Sequence, residues 1–400
     1  MGQKPRICLV FSQGLPVPAV QGGAVEKLGE NLALYQEQYQ DLDLTIISIY
    51  DKKAAAKAAT DYPHTNWQFI RCGAKEEITS LCFRLMRKIT KKSFDICSYD
   101  QKVFDCISTG DFDRVIFEGG NIYSFGKYQQ KFQKNQLIVH LHCVIRPEPV
   151  VKELFGASIG ISQYVTNAWC ESSGFLPEHA YTLMNGIDVN HFSKPVTEES
   201  RQVLRKKYGY MPSDYVVLYC GRVLAVKGIR ELMKAVLLID DPSVKLLVAG
   251  SLSVWEGCRP WYIKELRALA RASKGRIRFA GYIPNDYMNC YYNMANCTAV
   301  PSLCEEGAGL VHIESLAAGT PVIATSRGGI PEYLKNADEG VRLIDINDAF
   351  VEHLSQAIIS QKAEGNPSRE SLTEYARRFS SEIYYRNYVS IIQKEMEKAH

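Results

Sequence analysis

The stretch Cys297–Leu334, CTAVPSLCEEGAGLVHIESLAAGTPVIATSRGGIPEYL, decides the class of fold. CTAVPS reads as a short buried strand, and the run from Glu305 to Gly309 as a loop of acidic and small residues. LVHIESLAAG reads as a helix closed by Gly319, with PVIATS as the next strand. Strand, helix and strand so closely joined make a parallel crossover unit, and ligands of such sheets gather outside the carboxyl ends of the strands. The unpaired amides at the helix start, with Gly307, Ala308 and Gly309 allowing close approach, suit an anionic phosphate. Glu306 stands in the loop and Glu314 two turns into the helix, so the two carboxylates must touch different parts of an elongated ligand. The plainer readings are a helix-start charge for Glu306 and a solvated face for Glu314. Because the rest of that helix is apolar or small, Glu314 is expected to be half buried and to need a partner.

The same rhythm extends outward in both directions. Upstream of this segment, YVVLYCG, KLLVAG and IRFAGYI alternate with helical stretches, and VRLID follows it. The first half repeats the pattern with RICLVF, a helix from Ala24 to about Gln38, LTIISIY, WQFIRC, RVIFEG, LIVHLHC and ASIGIS. An α/β chain of two Rossmann-like, doubly wound units in tandem is therefore expected. The boundaries expected are 1–192 for the first unit, 193–375 for the second, and 376–400 for a C-terminal helix packing back on the first. The polar stretch from Ser193 to about Asp214 marks the junction.

Composition sets the outer limits. Four hundred residues, 46% hydrophobic and 23% charged, suit two globular domains. A formal net charge of +3 gives no bulk electrostatic case for nucleic acid. The apolar run near the N-terminus is too short for a signal-peptide core or membrane span, and the 12 cysteines show no CxxC pair or His/Cys ligand cluster, so reduced thiols and a cytoplasmic location are expected. Cys290, Cys297 and Cys304 are evenly spaced but fall in helix-like, strand-like and loop segments, and read as unrelated thiols.

Further candidate residues line the strand ends. YVVLYCG ends in Gly221, followed by Arg222, then Lys227 and Gly228 before the helix IRELMKAVLL. An arginine fork and a lysine point charge at that edge suit a diphosphate, against the alternative of a solvated loop. GAGLVH imitates the opening of a dinucleotide fingerprint, but His312 stands where the third glycine belongs, which sets hydride chemistry aside. The Asp41–Asp43 and Asp111–Asp113 pairs precede strands, the wrong edge for a metal-nucleotide site, and read as surface turns.

Glu306, seven residues, Glu314 and GTPVIATSRGGIPEYL, preceded by CGRVLAVKG, resemble the family 4 retaining glycosyltransferases of GT-B fold. MNGIDVNHF, the GGAVEKL loop and LIVHLHC extend the resemblance over most of the chain. It implies two facing Rossmann-like domains with a cleft between them, using a nucleotide sugar as donor. In such enzymes the counterparts of Arg222 and Lys227 hold the departing diphosphate, that of Glu314 the ribose hydroxyls, and that of Glu306 the donor sugar. Gly221, Gly307, Ala308, Gly309, Leu310 and Val311 would line the sugar and diphosphate, and Tyr282 and Ile283 the base. Gly22 and Gly23 would approach the diphosphate from the first unit, or form an ordinary turn. His142 matches the family's histidine beside the donor sugar, with His140 on the same face as the other candidate. Ala308 stands where the family most often has an aromatic, which bears on donor-sugar choice.

The resemblance implies a retaining hexosyltransferase that needs no metal or other cofactor. The donor expected is a UDP-hexose, and the acceptor a glycan, lipid-linked or glycoconjugate molecule in bacterial surface polysaccharide synthesis. A noncatalytic nucleotide-sugar-binding partner of another transferase is the alternative. LCFRLMRKITKK, residues 81–92, pairs apolar residues with five cations. It reads equally as a plain surface helix or as a peripheral contact with an anionic inner leaflet, at about 1 kcal/mol per basic residue.

Overall fold

The computed structural model describes residues 4–73, 98–120, 122–252, 259–337 and 339–398. The basic segment 81–92 lies outside them. The described chain forms two compact units, one of Met1–Asn185 with Ser381–His400, the other of Gly186–Ser380.

The first unit holds a seven-stranded parallel sheet. Its strands are β1 (Arg6–Val10), β2 (Asp43–Ile49), β3 (Asn66–Ile70), β4 (Arg114–Phe117), β5 (Leu137–Leu141), β6 (Ala157–Gly160) and β7 (Ala180–Thr182), in the spatial order β3-β2-β1-β4-β5-β6-β7. β4 and β5 are buried at every position, which is why both read as unbroken apolar runs apart from Arg114 and His140. The order reverses between β1 and β4, so the loops after those strands flank a topological switch point. The Asp pairs sit at the opposite, amino edge. Asp113 accepts from the Arg6 amide at 2.8 Å and pairs with its guanidinium, which Asp111 also meets.

The C-terminal helix, Ser381–Glu397, completes the core of this unit. Tyr384, Tyr385, Tyr388, Val389, Ile391 and Ile392 pack with Leu9, Leu28, Leu32 and Ile46. Polar groups fix its register against the helix Ala24–Tyr39: Asn31 donates to Ser381 Oγ at 2.8 Å, and Tyr385 to Gln36 Oε1 at 2.9 Å.

The second unit holds six parallel strands: β8 (Tyr215–Cys220), β9 (Val244–Ala249), β10 (Ile277–Gly281), β11 (Cys297–Val300), β12 (Val322–Thr325) and β13 (Val341–Ile344). Their order is β10-β9-β8-β11-β12-β13, with its own switch point between β8 and β11. Against the expected boundaries at 192/193 and 375/376, the compact units divide after Asn185 and after Ser380. The reason is local packing. The Phe192 ring meets that of Tyr292 at 6.0 Å, Arg369 donates to the Ser193 carbonyl, and Phe379 stacks on Tyr333 at 5.4 Å. Among the described residues the cysteines are free thiols, and no helix is long and apolar enough to cross a membrane.

Ile392 is fully buried in the first unit. Ile392→Ala should lower the opening free energy of β1 and β2 amides by about 2–5 kcal/mol, read by native-state hydrogen exchange, while β8 and β9 amides keep their protection. An equal loss in both sheets would contradict this division of the core.

Candidate active site

Both loops of the second unit's site leave adjacent strands at the switch point. After β8 the chain passes Gly221, whose φ is +143°, and Arg222, then makes a single turn over Ala225–Lys227 into the helix Ile229–Leu238. After β11 it runs Pro301 to Gly309 into the helix Leu310–Ala317. The two loops are stitched together by backbone: the Val226 carbonyl accepts from the amides of Leu303 at 2.9 Å and Cys304 at 3.2 Å. Gly228, at φ +70°, lies so close that an added Cβ would stand 1.9 Å from the Pro301 oxygen. Only glycine meets both demands.

This stitching carries Lys227 onto Glu306. The Lys227 ammonium forms an ion pair with Glu306 Oε1, which also accepts from Ser302 Oγ at 2.5 Å. Both partners are mostly buried, at 18% side-chain exposure each, so the pair is shielded from solvent while one edge stays open. From the far side the Gly329 amide donates to the Glu306 carbonyl at 2.8 Å, and a Cβ on Gly328 would stand 2.3 Å from that oxygen. The RGG turn of residues 327–329 thus braces the loop. Arg222 is exposed; its carbonyl accepts from Tyr219 Oη at 2.9 Å and the Leu224 amide at 3.0 Å, and its guanidinium has no hydrogen-bond partner among the described residues.

Glu314 and His312 sit in the helix Leu310–Ala317. Glu314 is half buried and accepts from Tyr292 Oη at 2.8 Å. Burial pushes its pKa up to about 7, against the lowering effect of that hydrogen bond. His312 is buried, and its Nδ1 lies 2.9 Å from the Gly309 carbonyl. Burial pushes its pKa down to about 4, so it is a neutral imidazole donating from Nδ1. A Cβ on Gly309 would collide with that ring at 1.8 Å, which gives the glycine a packing role beside any ligand approach. The half-buried Gly307, Ala308, Leu310 and Val311 surround the helix start.

Other expected residues lie further out. Gly281 closes β10 at φ +77°, its carbonyl accepting from the Gly250 amide at 2.9 Å; Tyr282 beyond it is exposed. Ile283 lines a cavity of about 620 Å³ with Tyr287, Tyr291 and Val203. In the first unit Gly22 and Gly23 have φ of +82° and +99°, and Gly23 caps the helix Ala24–Tyr39. They form a glycine-dependent turn whether or not a ligand meets it.

The first unit gathers a polar cluster at its own switch-point edge. His140 lies in β5, His142 just past its end, and Glu118 just past β4. His142 Nε2 is 2.8 Å from Glu118 Oε2, and His140 Nδ1 is 2.8 Å from the same oxygen. Tyr388 of the C-terminal helix donates to Glu118 Oε1 at 2.9 Å. Burial works to raise the Glu118 pKa, but the two imidazoles hold it well below the carboxylate range. Burial and then His140 push His142 down, against the pull of Glu118. Ligand-type atoms of Glu118, His140 and His142 lie within 4.8 Å of one another, the one such group among the described residues.

Residues 200–379 match the family described as glycosyl transferases group 1. The match takes in most of the second unit and less than half of the chain. The lipopolysaccharide 1,2-N-acetylglucosaminetransferase of Salmonella typhimurium is 26% identical over 75% of this chain and 80% of its own. A glycosyltransferase of Rickettsia africae superposes at a TM-score of 0.75, 18% identical, over 99% of each chain. HepE of Anabaena, solved in complex with UDP and glucose, gives a TM-score of 0.71 at 16% identity, over 97% of this chain and 99% of its own. The fold of the chain is GT-B, built of two Rossmann-like α/β domains.

Several groups that hold the site were not found from the sequence. Ser302, Tyr292 and Gly328 are set by tertiary contact, and no local spacing announces them. Glu118 had a readable signal, a carboxylate closing the otherwise apolar strand of RVIFEG. Tyr388 had none.

Glu314 keeps its proton in the folded unit up to about pH 7, whereas the unfolded chain releases it near the ordinary glutamate value of 4.5. The stability this contributes is present below 4.5 and lost as pH rises through 7. Glu314→Gln should therefore melt above wild type at pH 8, with the gap closing below pH 4.5; a variant melting below wild type at pH 8 would contradict this.

Proposed function

We propose that the protein is a family 4 retaining glycosyltransferase, moving a hexose from a UDP-hexose to a glycan, lipid-linked or glycoconjugate acceptor in bacterial surface polysaccharide synthesis. The observation carrying this reading is the Lys227–Glu306 pair beside the glycine-opened helix start, with Glu314 two turns along the same helix. A diphosphate at that helix start takes the positive end of the helix and a share of the Lys227 charge. The open guanidinium of Arg222 supplies a second cation, suited to a bidentate grip on phosphate oxygens. The glucose and UDP held by the Anabaena protein support the donor class, and the Salmonella relative supports a surface-glycan acceptor.

The chemistry follows from charge. The bond from the anomeric carbon to the diphosphate oxygen breaks ahead of bond formation, leaving a cationic ring and a growing negative charge on the diphosphate. Arg222, Lys227 and the amides of Gly309, Leu310 and Val311 meet that negative charge. The acceptor hydroxyl attacks from the face the leaving group vacates, and its proton passes to a diphosphate oxygen, so configuration is kept without a protein base. Glu306 lies against the sugar and holds Lys227 in place, while Glu314 accepts from the ribose hydroxyls. Gly22, Gly23 and His142 serve the same reaction from the first unit, and the backbone of Tyr282 and Ile283 meets the base. Fixed cations and amides stand in for a metal, and none is part of the reading. The protein works in the cytoplasm, with the basic segment 81–92 touching the inner face of the plasma membrane.

Purified protein offered UDP-glucose, UDP-N-acetylglucosamine, UDP-galactose and GDP-mannose should release UDP from a UDP-hexose and give a product with the donor's anomeric configuration. No turnover of any donor, alone or with acceptor glycans, would favour a noncatalytic partner. Arg222→Ala and Lys227→Ala should each cost about 3–4 kcal/mol of transition-state stabilisation, read from kcat/KM. Near-normal turnover in either would refute its assignment.

A further inference from the structure

The polar cluster of the first unit is built more elaborately than a single sugar-facing histidine requires. A carboxylate, two imidazoles and a phenol converge from three elements, and all but His142 are buried. An ionised carboxylate only accepts hydrogen bonds, so the 2.8 Å contact from His142 Nε2 to Glu118 Oε2 places the imidazole proton on Nε2. His142 Nδ1 then carries a lone pair; the atom is buried and has no hydrogen-bond partner among the described residues. A cavity of about 180 Å³ opens beside it, also lined by Ser12, Gly119 and Gly120. His140 packs its ring on that of His142, centroids 4.2 Å apart, and limits its rotation. The second oxygen of Glu118 is fixed by Tyr388, 270 residues away in sequence, at 2.9 Å.

We propose that Glu118 is a positioning residue for transfer: anchored by Tyr388, it fixes the tautomer and ring orientation of His142 so that Nδ1 presents its lone pair to a hydroxyl of the sugar substrate. This rests on the reading of His142 as serving the reaction. Protonated His142 has no lone pair to offer, so activity needs the neutral ring. The groups facing it are Glu118 after β4, His140 in β5, Tyr388 of the C-terminal helix, and Glu26 and Cys143 around the same cavity. Of these Glu118 is the one in direct contact that raises the His142 pKa. Removing its charge lets the ring lose its proton at lower pH.

The test uses the full chain, with steady-state kinetics over pH 5–9 for wild type, His142→Ala, Glu118→Gln and Tyr388→Phe. His142→Ala should lose activity; wild-type kinetics there would overturn the underlying reading and the proposal with it. With His142→Ala impaired, Glu118→Gln should lower kcat about 10–100-fold, leave the donor KM within about twofold, and shift the acid limb of the pH profile downward. Tyr388→Phe should lower kcat by less and, because the Glu118 charge remains, should not shift the acid limb downward. Wild-type kcat and an unshifted profile in Glu118→Gln would overturn the positioning role alone, as would wild-type kcat in Tyr388→Phe if Glu118→Gln fails to fold. Loss of wild-type activity on EDTA dialysis, restored by zinc, would overturn it in favour of a metal centre.

Discussion

The pairing of Lys227 with Glu306 is the contact on which the second unit's site depends. The two residues are 79 apart in sequence, and sheet order alone brings them together, because β8 and β11 are neighbours where the strand order reverses. Every local feature around them serves that approach. Gly228 lets the first loop pass the Pro301 carbonyl, the Val226 carbonyl joins the loops, and Gly328 lets the RGG turn close behind Glu306. A mostly buried ion pair contributes little net stability, since desolvation offsets its attraction. Its value lies in holding a cation and a carboxylate at a set spacing beside free helix amides.

The first unit repeats the geometry with different chemistry. Its switch point, between β1 and β4, carries the Gly22–Gly23 turn on one side and Glu118 on the other, with His142 after the next strand. The C-terminal helix joins in through Tyr388, so the segment that completes this hydrophobic core also supports the polar cluster. Both units place costly groups at the same edge: a carboxylate with its pKa pushed to about 7 in one, a carboxylate between two imidazoles in the other. Such groups weaken a fold and persist where a ligand needs them.

Much of this was legible in sequence because parallel strands buried on both faces leave unbroken apolar runs. All six strands of the second unit and six of the first were readable, including β3, β10 and β13, which are only partly buried but keep recognisable apolar residues. β7 was not, since Ala180–Thr182 is three residues long and not fully buried, without a hydrophobic run. The half burial of Glu314 followed from its apolar neighbours, but Tyr292 as its partner did not, because nothing local links two helices across an intervening strand. The unit boundaries were displaced for a similar reason. MNGIDVNHF reads as a junction, yet Val189 and Phe192 are buried and Phe192 packs on Tyr292, which assigns that segment to the second unit.

Hydrogen exchange of the backbone amides with and without saturating UDP tests the central claim most directly. Protection should rise at Gly221–Gly228 and Gly307–Glu314, the two loops that meet at the Lys227–Glu306 pair. UDP binding with those amides unchanged, and protection gained elsewhere, would contradict the account.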